Sequence, residues 1–242
     1  MNFQLDAKTI RDRLDHVSEQ IFRAGQRAGR DPKKIRLVLV TKTHPVETIL
    51  AAVEAGACRL GENYAEEAVE KIKALQKSPG LEWHMIGHVQ SRKADLVCQY
   101  FHYLHSLDSL KLATRLNRFA QENNVILPVL LECNASGETT KFGWNIIQAA
   151  KWTDLLEEMT KIVSLSNLQV QGLMTMAPFL DNAQEARPFF TQLRRFQEFL
   201  QSHIAQASWH ELSMGMSSDY EVAIEEGATW VRIGQAILGP RE

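Results

Sequence analysis

Hydrophobic positions along the chain fall into two spacings. Ile10, Leu14, Val17, Ile21 and Ala24 recur at steps of four and three, which is one helical stripe. The stripe ends near Gly29, with Pro32 beyond it. It predicts an opening helix within residues 1–30 that packs outside the main fold. After it, short apolar runs alternate with segments of helical spacing. The runs predict strands at 36–41, 59–63, 83–89, 103–107, 127–134, 171–176, 209–214 and 230–238. Between them, Val46, Ile49, Leu50 and Val53 have helical spacing, with Gly56 at the C-terminal stop. Helical segments are also predicted at 64–77, from Arg92, after a cap at Asp108, at 146–159, at 183–203 and, briefly, after residue 214.

Strands that alternate with helices imply a parallel sheet joined by right-handed crossovers. Eight of them in 242 residues predict an α/β fold of one domain, 1–242, a single closed (β/α)8 TIM barrel. The rival is an open doubly wound sheet, but no strand is followed by a G-x-G-x-x-G turn. An internal echo favours the barrel. AVEAGACRLGEN (Ala52–Asn63) and AIEEGATWVRIGQA (Ala223–Ala236) both read as helix, Gly stop, short strand and a Gly at or near the strand's far end.

Composition narrows the function. The chain is 45% hydrophobic and 23% charged, and its net charge of −2 gives no electrostatic case for nucleic acid or an anionic membrane. No apolar run approaches membrane-spanning length, and the charged N-terminus lacks a signal-peptide core. Cys58, Cys98 and Cys133 are scattered, with no metal-ligand spacing, so a reducing, cytoplasmic compartment and no metal are expected.

In such a barrel the C-terminal strand ends form the functional face. They carry Lys42, Glu62, Asn63, His84, His88, Glu132, Asn134, Met174, Met176, Ser213, Ser217, Ser218, Arg232 and Gly234. Gly215, Ser217 and Ser218 precede a short helix, and Ser218-x-x-Glu221 matches a capping box. With Gly234 after the last strand, this loop pair suits a phosphate. Arg232 lies inside the apolar WVRIG, where an inward guanidinium needs an acceptor or anion. Lys42 ends the first strand, where barrel walls can desolvate an amine and make it nucleophilic. Amine, phosphate site and arginine together suit a flat phosphorylated aldehyde. A Schiff-base aldolase acting on a sugar phosphate is the rival chemistry. His84, His88, Met174 and Met176 read as core packing, and Glu225–Glu226 as a solvated helix end.

VTKTHP, GENY, WHMIGHVQ, GLMTM, SMGMSSDYEVAIEEG and VRIGQAILG resemble, in order and spacing, the pyridoxal phosphate homeostasis proteins. These are single-domain relatives of the alanine racemase N-terminal barrel. The resemblance runs from about Arg36 to Gly239. It implies that Lys42 carries pyridoxal 5′-phosphate as an aldimine and that Asn63 lies near the ring. It further implies that Ser217 and Gly234 bind the phosphate and that Arg232 faces the pyridine nitrogen. Met174, Ser213 and Ser218 complete the expected cofactor contacts, and Lys141 in TTKFG lies in a mouth loop near the cofactor hydroxyl. Where the family often has Asn after the third strand, this chain has Arg92. The implied role is cofactor storage and delivery in the cytoplasm, by a monomer without catalytic residues. Free amino acids or cofactor-dependent apoenzymes are the expected partners. The alternative is a pyridoxal-phosphate-dependent amino-acid racemase. The sequence ends at Glu242, soon after the last strand, so the β-rich domain of racemases is not expected.

Overall fold

The computed structural model describes residues 6–240, so the first five and last two positions of the expected domain lie outside them. Helix α1 (Ala7–Arg27) opens the chain, with Asp6 capping Thr9 N–H at 2.7 Å. Its predicted stripe is buried and turned toward the barrel. A strand–helix alternation follows: β1 (Arg36–Val40), α2 (Val46–Glu54), β2 (Arg59–Glu62), α3 (Ala65–Ala74), β3 (Glu82–Met85), α4 (Ala94–Tyr100), β4 (Tyr103–Leu107), α5 (Leu110–Glu122) and β5 (Leu127–Asn134). A two-residue strand β6 (Trp144–Asn145), α6 (Leu156–Val163), β7 (Leu168–Met174), α7 (Arg187–His203), β8 (Glu211–Ser213), α8 (Tyr220–Glu225), β9 (Trp230–Ile233) and α9 (Gln235–Leu238) complete it.

The strand order is β4-β3-β2-β1-β9-β8-β7-β5, and β4 also pairs with β5, which closes a parallel eight-stranded barrel. β6 hangs on the end of β5. The two echoed segments build β2 and β9, the two neighbours of β1. Each enters through a left-handed glycine, Gly56 with φ 104° and Gly227 with φ 111°. Each also makes the same helix-terminating bond, Ala57 N to Ala52 O and Ala228 N to Ala223 O, both 2.9 Å.

Side chains alternate between the two faces of each strand. Leu39, Leu60, Met85, Leu131 and Leu173 face the helices and join the main core. Val38, Leu130, Met174 and Trp230 face inward and form a separate cluster with Tyr103 inside the barrel. α1 lies across the β1–β9 side. Arg30 donates to the carbonyls of Ile224 and Ala228 at 2.7 and 2.8 Å, and Arg13 to that of Ile237 at 3.0 Å, which fixes the helices behind the last two strands.

Several element ends differ from the sequence reading. The third strand stops at Met85, and Ile86–Gln90 is loop. The last strand stops at Ile233, and α9 replaces its second half. Ser109 caps α5, because Asp108 instead bonds His88 at 2.7 Å. The predicted helix at 146–159 becomes β6, a 3-10 segment at Ala149–Leu155 and then α6. β7 starts at Leu168, earlier than expected, since Gln169 faces water between two apolar positions. The acidic pair at the end of α8 is not solvated: Glu225 and Glu226 bind Arg187 at 2.5 and 2.7 Å, and Glu226 also meets Arg194 at 3.3 Å.

Candidate functional site

A cavity of about 580 Å³ opens at the C-terminal ends of the strands. Lys42, Asn63, Ser217, Ser218, Arg232 and Gly234 line it together. These are six of the eight residues expected at the site from the sequence. Ser213 and Met174 do not reach it. Both are inward-facing but lie one layer lower, Met174 in the cluster inside the barrel and Ser213 beneath Arg232. Side chains on one face of a strand advance by two residues, so Met176, not Met174, stands at cavity level.

Lys42 occupies the turn that ends β1. Thr43 follows it with φ 65°, a left-handed conformation rare for a β-branched residue. Buried charges hold both flanks of the lysine. Thr41 donates through its hydroxyl to Glu62 Oε1 at 2.6 Å, and its carbonyl accepts from Lys71 Nζ at 3.0 Å. Thr43 N–H donates to Glu67 Oε1 at 2.8 Å. Lys71 joins the two carboxylates, 2.9 Å from Glu62 and 2.6 Å from Glu67. Burial pushes the Glu62 carboxyl up, against the pull of Lys71 and Thr41. Strain at Thr43 persists because the surrounding contacts over-determine it.

The β8–β9 side forms a polar cradle. Gly215, with φ 94°, turns the chain after β8, and a Cβ there would lie 2.7 Å from the Ala223 side chain. The predicted capping box does not form. Asp219 is the cap residue of α8, its side chain instead accepts from Met216 N at 2.6 Å, and Glu221 pairs with Arg27 at 2.7 Å. The result is a tight turn with Ser217 and Ser218 at its cavity edge. Ser217 Oγ accepts from Ala236 N at 3.3 Å and so ties this turn to the start of α9. Gly234 has an ordinary negative φ. Glycine suits the position because a Cβ would meet the Val40 carbonyl oxygen at 3.0 Å and the Val40 Cβ at 3.1 Å.

Arg232 is buried on the cavity floor. It donates from Nη1 to Ser213 Oγ at 2.5 Å and from Nη2 to the Thr175 carbonyl at 2.9 Å. A guanidinium only donates. Ser213 therefore passes its own O–H to His105 Nδ1, 2.8 Å away. His105 then carries its proton on Nε2, where it meets His84 Nδ1 at 3.0 Å. The line ends there: His84 Nε2 is buried without a hydrogen-bond partner, with Glu82 3.6 Å away. A one-directional line of donors thus crosses the barrel interior. Burial holds both imidazoles below their ordinary pKa, so they are neutral. Burial also lowers Arg232 to about 10, against the opposing pull of Asp219 and Glu132, which leaves it charged at neutral pH.

Two polar cavity residues on strand ends or their loops, His88 and Glu132, were not among those selected from the sequence. His88 was read as core, yet it lines the cavity, paired with Asp108 and stacked on Phe142 at 3.7 Å between ring centres. The early end of β3 releases it. Glu132 lines the cavity near the end of β5. Counting by twos from the inward-facing Leu130 would have found it. Lys141 lies in the β5–β6 loop and donates to the Met176 carbonyl at 3.1 Å. Arg92 binds Gln90 Oε1 at 2.9 Å on the rim.

The fold and this cavity define a barrel of the alanine racemase N-terminal class. The model of the alanine racemase N-terminal domain matches residues 13–242. A pyridoxal phosphate homeostasis protein of Aquifex aeolicus is 41% identical over 231 residues, 96% of this chain and 98% of the relative. One from Escherichia coli is 38% identical over 242 residues, covering 96% and 97% of the two chains. The structure of PipY from Synechococcus elongatus with pyridoxal phosphate bound superposes with a TM-score of 0.82 at 36% identity, over 95% of this chain and all of PipY. Alanine racemase of Clostridium difficile shares the fold alone, with 14% identity, a TM-score of 0.69 and coverage of 97% of this chain but 57% of the racemase. This chain belongs to the pyridoxal phosphate homeostasis protein family.

Proposed function

We propose that this protein binds pyridoxal 5′-phosphate in the cavity at the strand ends, and that it stores and delivers the cofactor in the cytoplasm as a monomer. The observation that carries this reading is the convergence of Lys42, Arg232 and the Ser217–Gly234 edge on one cavity. The donor set fits the group. Ser217 Oγ accepts from Ala236, so its hydroxyl proton is available to a phosphate oxygen. Arg232 spends N–H groups on Ser213 and Thr175 and still has donors for a ring nitrogen, since a guanidinium carries five. When bound, the cofactor supplies an aldehyde carbon that accepts a primary amine. Lys42 is the amine in this reading, and the ion cluster beneath it keeps its backbone in place. Asn63 and Met176 border the ring, and free amino acids or cofactor-dependent apoenzymes receive the cofactor.

The test is the visible absorbance of the purified protein with added cofactor, followed by borohydride reduction and peptide mapping. A new absorbance band and a reduced adduct on Lys42 are expected. An adduct on Lys141 or another lysine would overturn the assignment.

A further inference from the structure

Glu132 is a carboxyl group that the reading above does not use. It is 4% exposed, yet it stands in the cavity wall. Its Oε2 is buried without a hydrogen-bond partner. Such a group costs stability unless it is protonated or meets a ligand. Its place is built by its neighbours. Gly143, with φ 89°, packs against it so closely that a Cβ would lie 2.2 Å from the Glu132 carbonyl oxygen and 3.0 Å from its Cγ.

The strand order says which part of a ligand reaches this wall. Around the barrel, Ser217, Ser218 and Gly234 follow β8 and β9, Lys42 follows β1, and Glu132 lies near the end of β5. In pyridoxal phosphate the phosphate arm and the phenolic oxygen sit on opposite flanks of the aldehyde carbon. With the phosphate at Ser217, the aldehyde at Lys42 and the ring nitrogen on Arg232, the phenolic edge turns toward β3–β5.

We infer that Glu132 contacts the cofactor as a neutral carboxylic acid, donating its O–H to the phenolic oxygen, so that binding takes up a proton wherever Glu132 starts out ionised. This inference rests on the cofactor reading above. The charged and titratable groups facing Glu132 are Asp108 beyond β4, paired with His88 from the loop after β3, and Arg232 on β9. Lys42 across the cavity, Lys141 in the loop after β5, and Tyr64, Glu66 and Lys93 on the β2–β3 side of the cavity are the other titratable groups around it. Burial first, and then Asp108, raise the Glu132 carboxyl to about 7, against the pull of Arg232. The acid is therefore present in quantity at neutral pH. A hydrogen bond to its protonated form raises the value further in the complex. Affinity is then intact below about 7 and falls as pH rises through the value in the complex, about tenfold for each unit by which the ligand raises it.

The experiment measures the dissociation constant of pyridoxal phosphate between pH 6 and pH 8.5 for the full chain, Glu132→Gln and Glu132→Met. Lys42 and the phosphate impose the same pH dependence on all three, so their ratios isolate Glu132. Wild type is expected to lose at least about tenfold relative to Glu132→Gln between the two ends. Glu132→Met should be weaker than Glu132→Gln throughout, with a ratio to it that does not change with pH. Constant wild-type-to-variant ratios would overturn the inference while leaving the cofactor reading intact. No binding by any of the three at any pH would instead overturn the cofactor reading. If Glu132→Gln does not fold, the Glu132→Met ratio decides the same question.

Discussion

Lys71 Nζ lies 3.0 Å from the carbonyl oxygen of Thr41, the residue before Lys42, and Glu67, which also pairs with Lys71, accepts from the N–H of Thr43, the residue after it. The candidate nucleophile is thus clamped from both sides by one ion cluster, built on the buried Lys71–Glu62 pair and the half-buried Glu67. Lysine carries a long flexible stem, and fixing its backbone lowers the entropy lost when the amine is placed.

Lys71→Met would leave Glu62 buried beside Thr41 without its cation. Losing one member of a buried pair costs about 3 kcal/mol or more. Chemical denaturation should show that loss. The double variant Lys71→Met/Glu62→Gln should regain most of it, because the orphaned charge is gone. Equal stability of wild type and Lys71→Met would show that the cluster is not load-carrying. Both variants should also bind cofactor more weakly, through the loosened turn at Thr43.

Ser217→Ala removes a hydroxyl from the cavity edge and leaves Ala236 N–H without its acceptor. A hydrogen bond to a charged phosphate is worth about 1.5–3 kcal/mol. Affinity for pyridoxal phosphate should fall accordingly, while affinity for unphosphorylated pyridoxal changes little. Equal loss for both ligands would place the phosphate elsewhere.

Ser213 shows what the sequence could and could not convey. The eight strands, the barrel and six residues of the cavity were legible because period-two alternation and glycine stops are local signals. The layer of each inward residue was not, since it depends on strand stagger, which pairing partners set. Ser213 therefore passed for a cavity residue, although it supports Arg232 from below. His88 passed for a core residue because nothing local marks β3 as ending at Met85. Glu132 follows the parity rule but looked like one more strand-end charge.

Ser213→Ala should therefore act through Arg232. It strands the Arg232 Nη1–H and His105 Nδ1, both buried, at a cost of about 1–3 kcal/mol each. The melting temperature should drop, and cofactor affinity should drop with it as the guanidinium reorients. Ser213→Thr keeps the hydroxyl and should restore affinity more than stability, because its added methyl must fit a packed interior. Unchanged affinity in Ser213→Ala would show that Arg232 holds its place without this line of donors.

The protein alone should show a pH signature of Glu132. Its carboxyl rises from the ordinary 4.5 to about 7 on folding. The native state then holds a proton that the unfolded chain releases. A raised carboxyl gives stability that is complete below the unfolded value and is lost as pH rises to the folded one. Between pH 4.5 and 7 this amounts to about 3 kcal/mol. Glu132→Gln removes this contribution. The stability difference between the variant and wild type should shift in favour of the variant by about that amount across the window, measured by urea unfolding at each pH. A constant difference would mean that Glu132 stays ionised in the fold.

Added amino acids should exchange with the lysine-bound cofactor without being turned over. Exchange needs only an accessible amine, and the cavity opens to the surface. Removal of a proton from the amino acid's α-carbon makes a different demand: the pyridine ring must accept negative charge, and it does so well only when its nitrogen is protonated. Arg232 works against that. It remains charged at neutral pH even though burial lowers it to about 10, and it offers only donors. Ser213 and Thr175 hold it in that orientation, and the two neutral histidines behind Ser213 bring no further charge to bear. The check is deuterium incorporation at the α-carbon of L-alanine, L-serine and L-glutamate, incubated with cofactor-loaded protein in heavy water. Incorporation should stay at the rate of free pyridoxal phosphate. Catalytic incorporation with accumulation of the D-isomer would favour an amino-acid racemase instead. Arg232→Glu supplies an acid in place of the donor and, if that variant folds and binds the cofactor, should raise the exchange rate above wild type.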